Sequence, residues 1–298
     1  MGLFGGLFNY AKEGPGVSKD APKKKRFFLF FELYFRKFWK LCLLNIIYVL
    51  FCIPMAAAVF ALYLIVSRST DFTTQPWFMP AAVLSFVLAA ITFGPATAGA
   101  TYVLRNFARE EHAYIWYHFW KAFKTNFRQA WVMGVIDIVV SCLAAWVIWF
   151  YAMSLGQNSY FIVLLVLSVI FLIVFITMNY YVYLVMVTVE LPFRHLIKNS
   201  FILSVLGVKY NVVVFIFTLI IGGLQVLFFP ITLPVVLVIG VSTPMFISTF
   251  GVYPVVKKYC IDPVVAAQGT DADADDEAVF SDELLIKDGS RDDDDDED

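Results

Sequence analysis

Charged side chains are scarce in this sequence of 298 residues: Asp, Glu, Lys and Arg make up 15% of it, whereas 60% is hydrophobic. A soluble domain of this length needs a charged surface, and about 25% charged residues is the usual content. The shortage indicates that much of the protein surface faces lipid rather than water. The sequence therefore predicts an all-α integral membrane protein.

Cysteine and histidine are too few and too widely spaced to indicate a metal site. The four cysteines show no C-x-x-C pairing, and the closest two of the three histidines, His112 and His118, do not share a helix face. The chain also lacks H-E-x-x-H, G-x-S-x-G, a paired-carboxylate site and a nucleotide fingerprint. We expect no metal, no cofactor, no nucleic-acid partner and no enzymatic activity.

Apolar runs long enough to cross a bilayer, which takes about 20 residues, occur six times. They cover about residues 41–66, 78–103, 131–153, 161–189, 211–229 and 231–256. Pro54 and the pair Gly94-Pro95 interrupt the first two runs, and the last two form either two spans or one tight re-entrant pair. We predict a membrane domain over residues 41–260 with about six transmembrane helices, after a cytoplasmic basic-aromatic segment at 1–40.

The distribution of bases predicts the orientation, since Lys and Arg favour cytoplasmic loops. The segment before residue 41 has nine of them and the second loop has five, whereas the first loop has only Arg68. Both termini are therefore predicted to be cytoplasmic. Residues 271–298 carry 15 of the 24 acids, so we expect a disordered tail over 261–298 that either rests on the basic cytoplasmic face or only solubilises the chain.

Three cytoplasmic stretches, at 27–40, 104–130 and 191–209, combine aromatic and basic residues. In the second stretch, Ile115, Phe119, Phe123 and Phe127 recur at four-residue steps, and the bases fall largely on the remaining arc. A helix with this pattern is typical of the headgroup boundary. We predict interfacial amphipathic helices there.

The stretch TFGPATAGATYVLRNFAREEHAYIWYHFWKAFKTNFRQA at residues 92–130 resembles the YesL-like bacterial membrane proteins, a family of unknown function (DUF624). Two further blocks, GPGVSKDAPKKKRFFLFFELYFRKFWKL at 14–41 and VELPFRHLIKNSFIL at 189–203, are similar to other parts of the same family. The resemblance covers most of residues 8–262. It implies a multipass protein of the bacterial plasma membrane whose gene often accompanies carbohydrate ABC importers.

Glycine and proline in the second span mark the first candidate site. Pro95 removes a backbone donor and disfavours helical geometry at Gly94, and broken helices at membrane depth recur in transporter binding sites. The alternative is close helix packing along a stripe of small residues that runs on towards Gly99. Both interpretations remain open from sequence alone.

Asp137 is the acid that lies well inside an apolar span. A carboxylate at such a depth is costly and indicates a proton relay, an ion site or partner recognition. Alternatively it caps a helix, snorkels, or pairs with Arg128 or Lys209.

A charged cluster follows the second span and is the third candidate site. It either docks onto a partner subunit or forms i,i+4 pairs along a solvated helix face. Its members are Arg105, Asn106, Arg109, Glu110 and Glu111.

These features support two hypotheses about function. In the first, the protein is an accessory or regulatory subunit beside the permease of a carbohydrate ABC importer, with the in-plane helices as the docking surface. In the second, it is a transporter or channel for a small neutral solute such as a sugar, using Gly94-Pro95 and Asp137. The oligomeric state does not follow from the sequence.

Overall fold

The computed structural model describes residues 25–67, 76–156 and 158–263, and every regular element within those ranges is a helix. The chain divides into two units, residues 1–36 and residues 37–298. Most of the predicted basic N-terminal segment and nearly all of the predicted acidic tail lie outside the described residues.

The described part of the first unit is a single helix, α1 (Arg26–Arg36). Its aromatic rings contact one another edge to face, as Phe27 and Phe31 do at 5.1 Å between ring centroids. One exposed ion pair, between Arg36 Nη1 and Glu32 Oε1 at 3.7 Å, connects successive turns.

The second unit contains five helices that are long and apolar enough to cross a membrane, together with one bent pair that makes a sixth span if its two arms are taken together. These helices confirm the predicted all-α membrane class. In chain order the elements are α2 (Phe38–Ser67), α3 (Phe78–Ala108), α4 (Ile115–Thr125), α5 (Phe127–Ser154), α6 (Tyr160–Met186), α7 (Phe193–Leu206), α8 (Val208–Leu227), α9 (Leu233–Gly240) and α10 (Ser242–Ile261).

The break in a spanning helix is not where the prolines of the first two spans suggested. Pro54 lies inside the continuous helix α2, and Pro95 lies inside the continuous helix α3. A membrane helix tolerates proline where neighbouring helices compensate for the lost backbone hydrogen bond. The observed break lies at Val241, where α9 and α10 meet at 42° after a π-helical turn over Val236–Gly240.

Helix α3 is central to the packing of the second unit, because it contacts α2, α4, α5, α6 and α10. Its second half is almost entirely buried, from Gly94 to Phe107. By contrast, the surfaces of α6 and α8 that bear Val, Leu, Ile and Phe are largely exposed. In an apolar span this exposure is what contact with lipid requires.

Short helix α4 packs its apolar stripe against protein. Phe119 is fully buried, and the ring of Phe51 on α2 lies 5.3 Å from it and 5.2 Å from Phe123. The stripe that the sequence assigned to the headgroup boundary is therefore covered by α2 and α3 to a large extent. Trp116 and Tyr117, on the opposite side of α4, remain exposed.

Candidate functional site

A cavity of about 300 Å³ lies among the second half of α3, the first half of α5, the second half of α6 and the start of α10. Its wall combines one carboxylate, one amide, several hydroxyl groups and four aromatic rings. The lining residues are Phe93, Thr97, Thr101, Asp137, Ser141, Phe175, Ile176, Asn179, Tyr180, Tyr183, Pro244, Met245, Ser248 and Thr249.

Asp137 supplies the carboxylate and is only 7% exposed. It lies ten residues after the start of α5, which is about 15 Å along the helix at 1.5 Å per residue. Asn179 Nδ2 donates to its Oδ1 at 2.8 Å, and the Tyr183 hydroxyl donates to its Oδ2 at 2.5 Å. Both donors come from α6, so these bonds hold α5 against α6.

The hydrogen bonds of Asp137 decide between the structural alternatives that the sequence left open. Its partners are a neutral amide and a neutral phenol, not Arg128 or Lys209. Among the described residues, no lysine or arginine lies within ion-pair distance of this carboxylate. Its position inside α5 also excludes a role as a helix cap.

The side chain of Asn179 has a second polar atom, and no described residue forms a hydrogen bond with it. A carboxylate only accepts hydrogen bonds, so the amide nitrogen of Asn179 must face Asp137 and the amide oxygen must face elsewhere. That oxygen, Oδ1, is buried and has no hydrogen-bond partner among the described residues. Buried polar atoms without a partner are rare, and each one needs an explanation.

Two hydroxyl groups in the wall donate hydrogen bonds to nearby backbone carbonyls. Thr97 Oγ1 donates to the carbonyl of Phe93 at 2.7 Å, and Ser248 Oγ donates to the carbonyl of Met245 at 2.9 Å. What such a hydroxyl offers to the cavity is therefore a lone pair. Together with the carboxylate of Asp137, these two hydroxyl groups give the wall several hydrogen-bond acceptors.

The Gly94-Pro95 segment serves helix packing in this structure. A Cβ atom at Gly94 would overlap the backbone carbonyl oxygen of Ala130 on α5, and one at Gly134 would lie 2.9 Å from the Cα of Gly94. At Gly99, an added Cβ would lie 2.8 Å from the carbonyl oxygen of Phe119 on α4. These contacts favour the packing interpretation, and the functional break proposed for Gly94-Pro95 is wrong because α3 is continuous there.

The charged cluster after α3 is folded inward rather than spread along a solvated helix face. Arg105 is 5% exposed; its Nη1 donates to the carbonyl of Val187 at 2.6 Å, and its Nε and Nη2 donate to Asn106 Oδ1. The bond to Val187 attaches the end of α3 to the end of α6, and the bonds to Asn106 orient the guanidinium group. Part of the cluster therefore has a structural role, since it connects α3 with α6.

Beyond α3, the chain turns sharply before α4. Glu110 has a φ of 64°, which is left-handed, and Arg109 Nη2 pairs with Glu111 Oε1 at 2.7 Å. Lys37 Nζ donates to the carbonyl of Glu111 at 2.8 Å, so the start of α2 is attached to the same turn. Because α3 ends at Ala108, Arg109, Glu110 and Glu111 do not continue one helix face.

The broken last span is stabilised by one fully buried side chain, Asn45 on α2. Its Nδ2 donates to the carbonyls of Val236 at 3.0 Å and Leu237 at 2.8 Å. Its Oδ1 accepts from the backbone amides of Val241 at 2.9 Å and Ser242 at 2.8 Å. These four bonds are all that an asparagine side chain can make. Gln225 Nε2 adds a bond to the carbonyl of Gly240 at 2.9 Å.

Sequence reasoning found Asp137 but not the other members of the cavity. Asn179, Tyr183, Ser248 and Thr249 are not among the candidate site residues that the sequence suggested. The available signal was the four-residue spacing of Asn179 and Tyr183, which places both on one face of α6. The cavity does not include Gly94, Pro95, Gly99 or the charged cluster.

The long apolar helices define a multipass α-helical membrane protein. The model of a family described as "Protein of unknown function, DUF624" matches residues 53–148. This match confirms the resemblance to that family over the second half of α2, α3, α4 and most of α5, including Asp137. No curated protein and no solved structure matches the chain.

Proposed function

We propose that this protein is a carrier or channel that takes a small polar solute into the cavity beside Asp137. The observation that carries the proposal is a buried carboxylate without an ion-pair partner among the described residues, in a cavity lined by four helices. A charged group at such a depth is costly and marks an ion or substrate path in membrane proteins. A cavity of about 300 Å³ is at the small end of ligand pockets, which suits a small solute.

The membrane in question is proposed to be the bacterial plasma membrane, with both termini in the cytoplasm. The alternation of bases between loops supports this orientation. Single cysteines placed between residues 69 and 75, and at His112, test it with a membrane-impermeant thiol reagent in intact cells. The first set reacts if the orientation is right, and His112→Cys stays silent. The reverse pattern contradicts the orientation.

Uptake into liposomes that contain only this protein tests the transport proposal. Labelled sugars, polyols and amines are offered in turn, and the wild type is compared with Asp137→Asn, which removes the charge while preserving size. Ser168→Ala is the matched control, because the Ser168 hydroxyl donates to the carbonyl of Leu164 on its own helix and does not line the cavity beside Asp137. We expect uptake of at least one solute by the wild type and the control, with loss in Asp137→Asn.

A second candidate function is the accessory subunit of a carbohydrate ABC importer, which the family resemblance implies. The exposed face of α4 favours it: Trp116 and Tyr117 are 61% and 57% exposed, and Lys124 lies 5.0 Å from the ring centroid of Trp120. Exposed aromatics with neighbouring cations are common in protein interfaces and in membrane interfaces.

Affinity purification from native membranes distinguishes the two candidates. Recovery of an importer permease from wild type but not from Trp116→Ala, together with liposomes that take up nothing, supports the accessory subunit. Uptake by the isolated protein supports the carrier. On the absence of a catalytic motif in the sequence, we propose no enzymatic activity under either candidate.

A further inference from the structure

The charge balance of the cavity is incomplete. Asp137 is buried, yet its hydrogen-bond donors are the neutral side chains of Asn179 and Tyr183. Among the described residues none supplies a positive charge to it. Because buried charges in proteins are paired, a ligand that brings a positive charge would complete this pair.

The hydroxyl groups of the cavity wall favour a ligand with hydrogen-bond donors. The hydroxyls of Thr97 and Ser248 have already donated to backbone carbonyls. A ligand that satisfies this wall brings N–H or O–H donors. A carboxylate or a phosphate ester would meet a like charge and more acceptors.

Size and aromatic content separate an organic cation from a bare metal ion. The cavity measures about 300 Å³, far more than one ion occupies, and the rings of Phe93, Phe175, Tyr180 and Tyr183 face it. Aromatic faces attract organic cations, and this attraction grows when the cation leaves water. A metal ion instead requires a shell of several oxygen ligands.

We propose that the solute of this cavity carries a protonated primary amine, which pairs with Asp137. The inference rests on the proposed solute site and specifies its ligand class. In this arrangement Asp137 selects the charge, and the aromatic rings contact the carbon chain next to the nitrogen.

Two matched probes test the proposal on the purified full-length protein in lipid nanodiscs. Aminopentanol and pentanediol differ in whether one end is an ammonium or a hydroxyl. Isothermal titration measures the affinity of each for the wild type, for Asp137→Asn and for the control Ser168→Ala. We expect aminopentanol to bind the wild type and the control at least about tenfold more tightly than pentanediol, and Asp137→Asn to lose this preference.

A third probe, tetramethylammonium, keeps the charge and removes the N–H donors. We expect it to bind less tightly than aminopentanol in the wild type, because it cannot donate a hydrogen bond to the Asp137 carboxylate. Equal or tighter binding of tetramethylammonium would contradict the primary amine.

Other outcomes overturn the proposal in distinguishable ways. Equal binding of pentanediol and aminopentanol means that Asp137 is neutral, so the solute site stands but its ligand is not a cation. Unchanged aminopentanol affinity in Asp137→Asn places the amine elsewhere. Failure of aminopentanol to bind the wild type refutes the amine, while liposome uptake of neutral solutes continues to test the transport proposal separately.

Discussion

Replacing Asn45 by alanine removes the side chain that satisfies the backbone at the break between α9 and α10. The substitution leaves two carbonyls, of Val236 and Leu237, and two amides, of Val241 and Ser242, without their partner. It changes nothing in the cavity, which Asn45 does not line. The expected effect is therefore on stability.

The expected loss of stability follows from the number of hydrogen bonds that Asn45 makes. Interhelical hydrogen bonds in a membrane protein average about 0.6 kcal/mol each by double-mutant cycles, so four of them contribute about 2.4 kcal/mol. Leaving a buried group unpaired costs more, about 1–3 kcal/mol each, unless the backbone relaxes. Because the break can close partly into regular helix, we expect Asn45→Ala to lower the free energy of unfolding by about 2–4 kcal/mol.

Equilibrium unfolding in mixed micelles, followed by tryptophan fluorescence, measures this loss. Asn199→Ala is the matched control. Asn199 is a half-buried helical asparagine whose side chain makes no hydrogen bond to the described residues. The same exchange of residue types then has the same effect on helix propensity. A loss for Asn45→Ala no larger than for Asn199→Ala would refute the capping role of Asn45.

Two further substitutions test the packing of α3. Gly94→Ala places a Cβ on a backbone carbonyl of α5 and should cost about 1–3 kcal/mol, whereas Gly222→Ala, with nothing within 4 Å, should be neutral or stabilising in the same unfolding assay. Arg105→Lys cannot make the bonds to Asn106 and to the Val187 carbonyl together, so we expect a loss of about 1.5–3 kcal/mol. If Arg105→Lys has the same free energy of unfolding as the wild type, the hydrogen bond from Arg105 to Val187 does not stabilise the contact of α3 with α6.

The class of the protein follows from its sequence because a bilayer imposes one requirement on every residue of a span. Each span must be apolar and about 20 residues long, and this signal survives without knowledge of any neighbour. The helices over residues 41–66 and 161–189, for example, correspond to α2 and α6 of the structure. Asp137 was identifiable for the same reason, since one acid interrupts an otherwise apolar run.

The site as a whole depends on which helix faces meet, and no local pattern encodes that. Proline usually breaks a helix, but α3 is continuous through Pro95, and Gly94 packs closely against α5. The real break, at Val241, exists because Asn45 on a distant helix satisfies it. Likewise, the cavity forms only where α3, α5, α6 and α10 converge.

Access of water to the cavity is the most direct test of the account, because a solute site in a membrane must be reached from water. Ser248→Cys, in a chain whose native cysteines are replaced, puts a thiol in the cavity wall; a chain that retains only Cys142 puts one on the exposed surface of α5. Thiols react as thiolates, which need an aqueous environment. The account predicts that a small water-soluble thiol reagent modifies Ser248→Cys in membranes and leaves Cys142 unmodified. Equal lack of reaction at both positions would contradict the solute site.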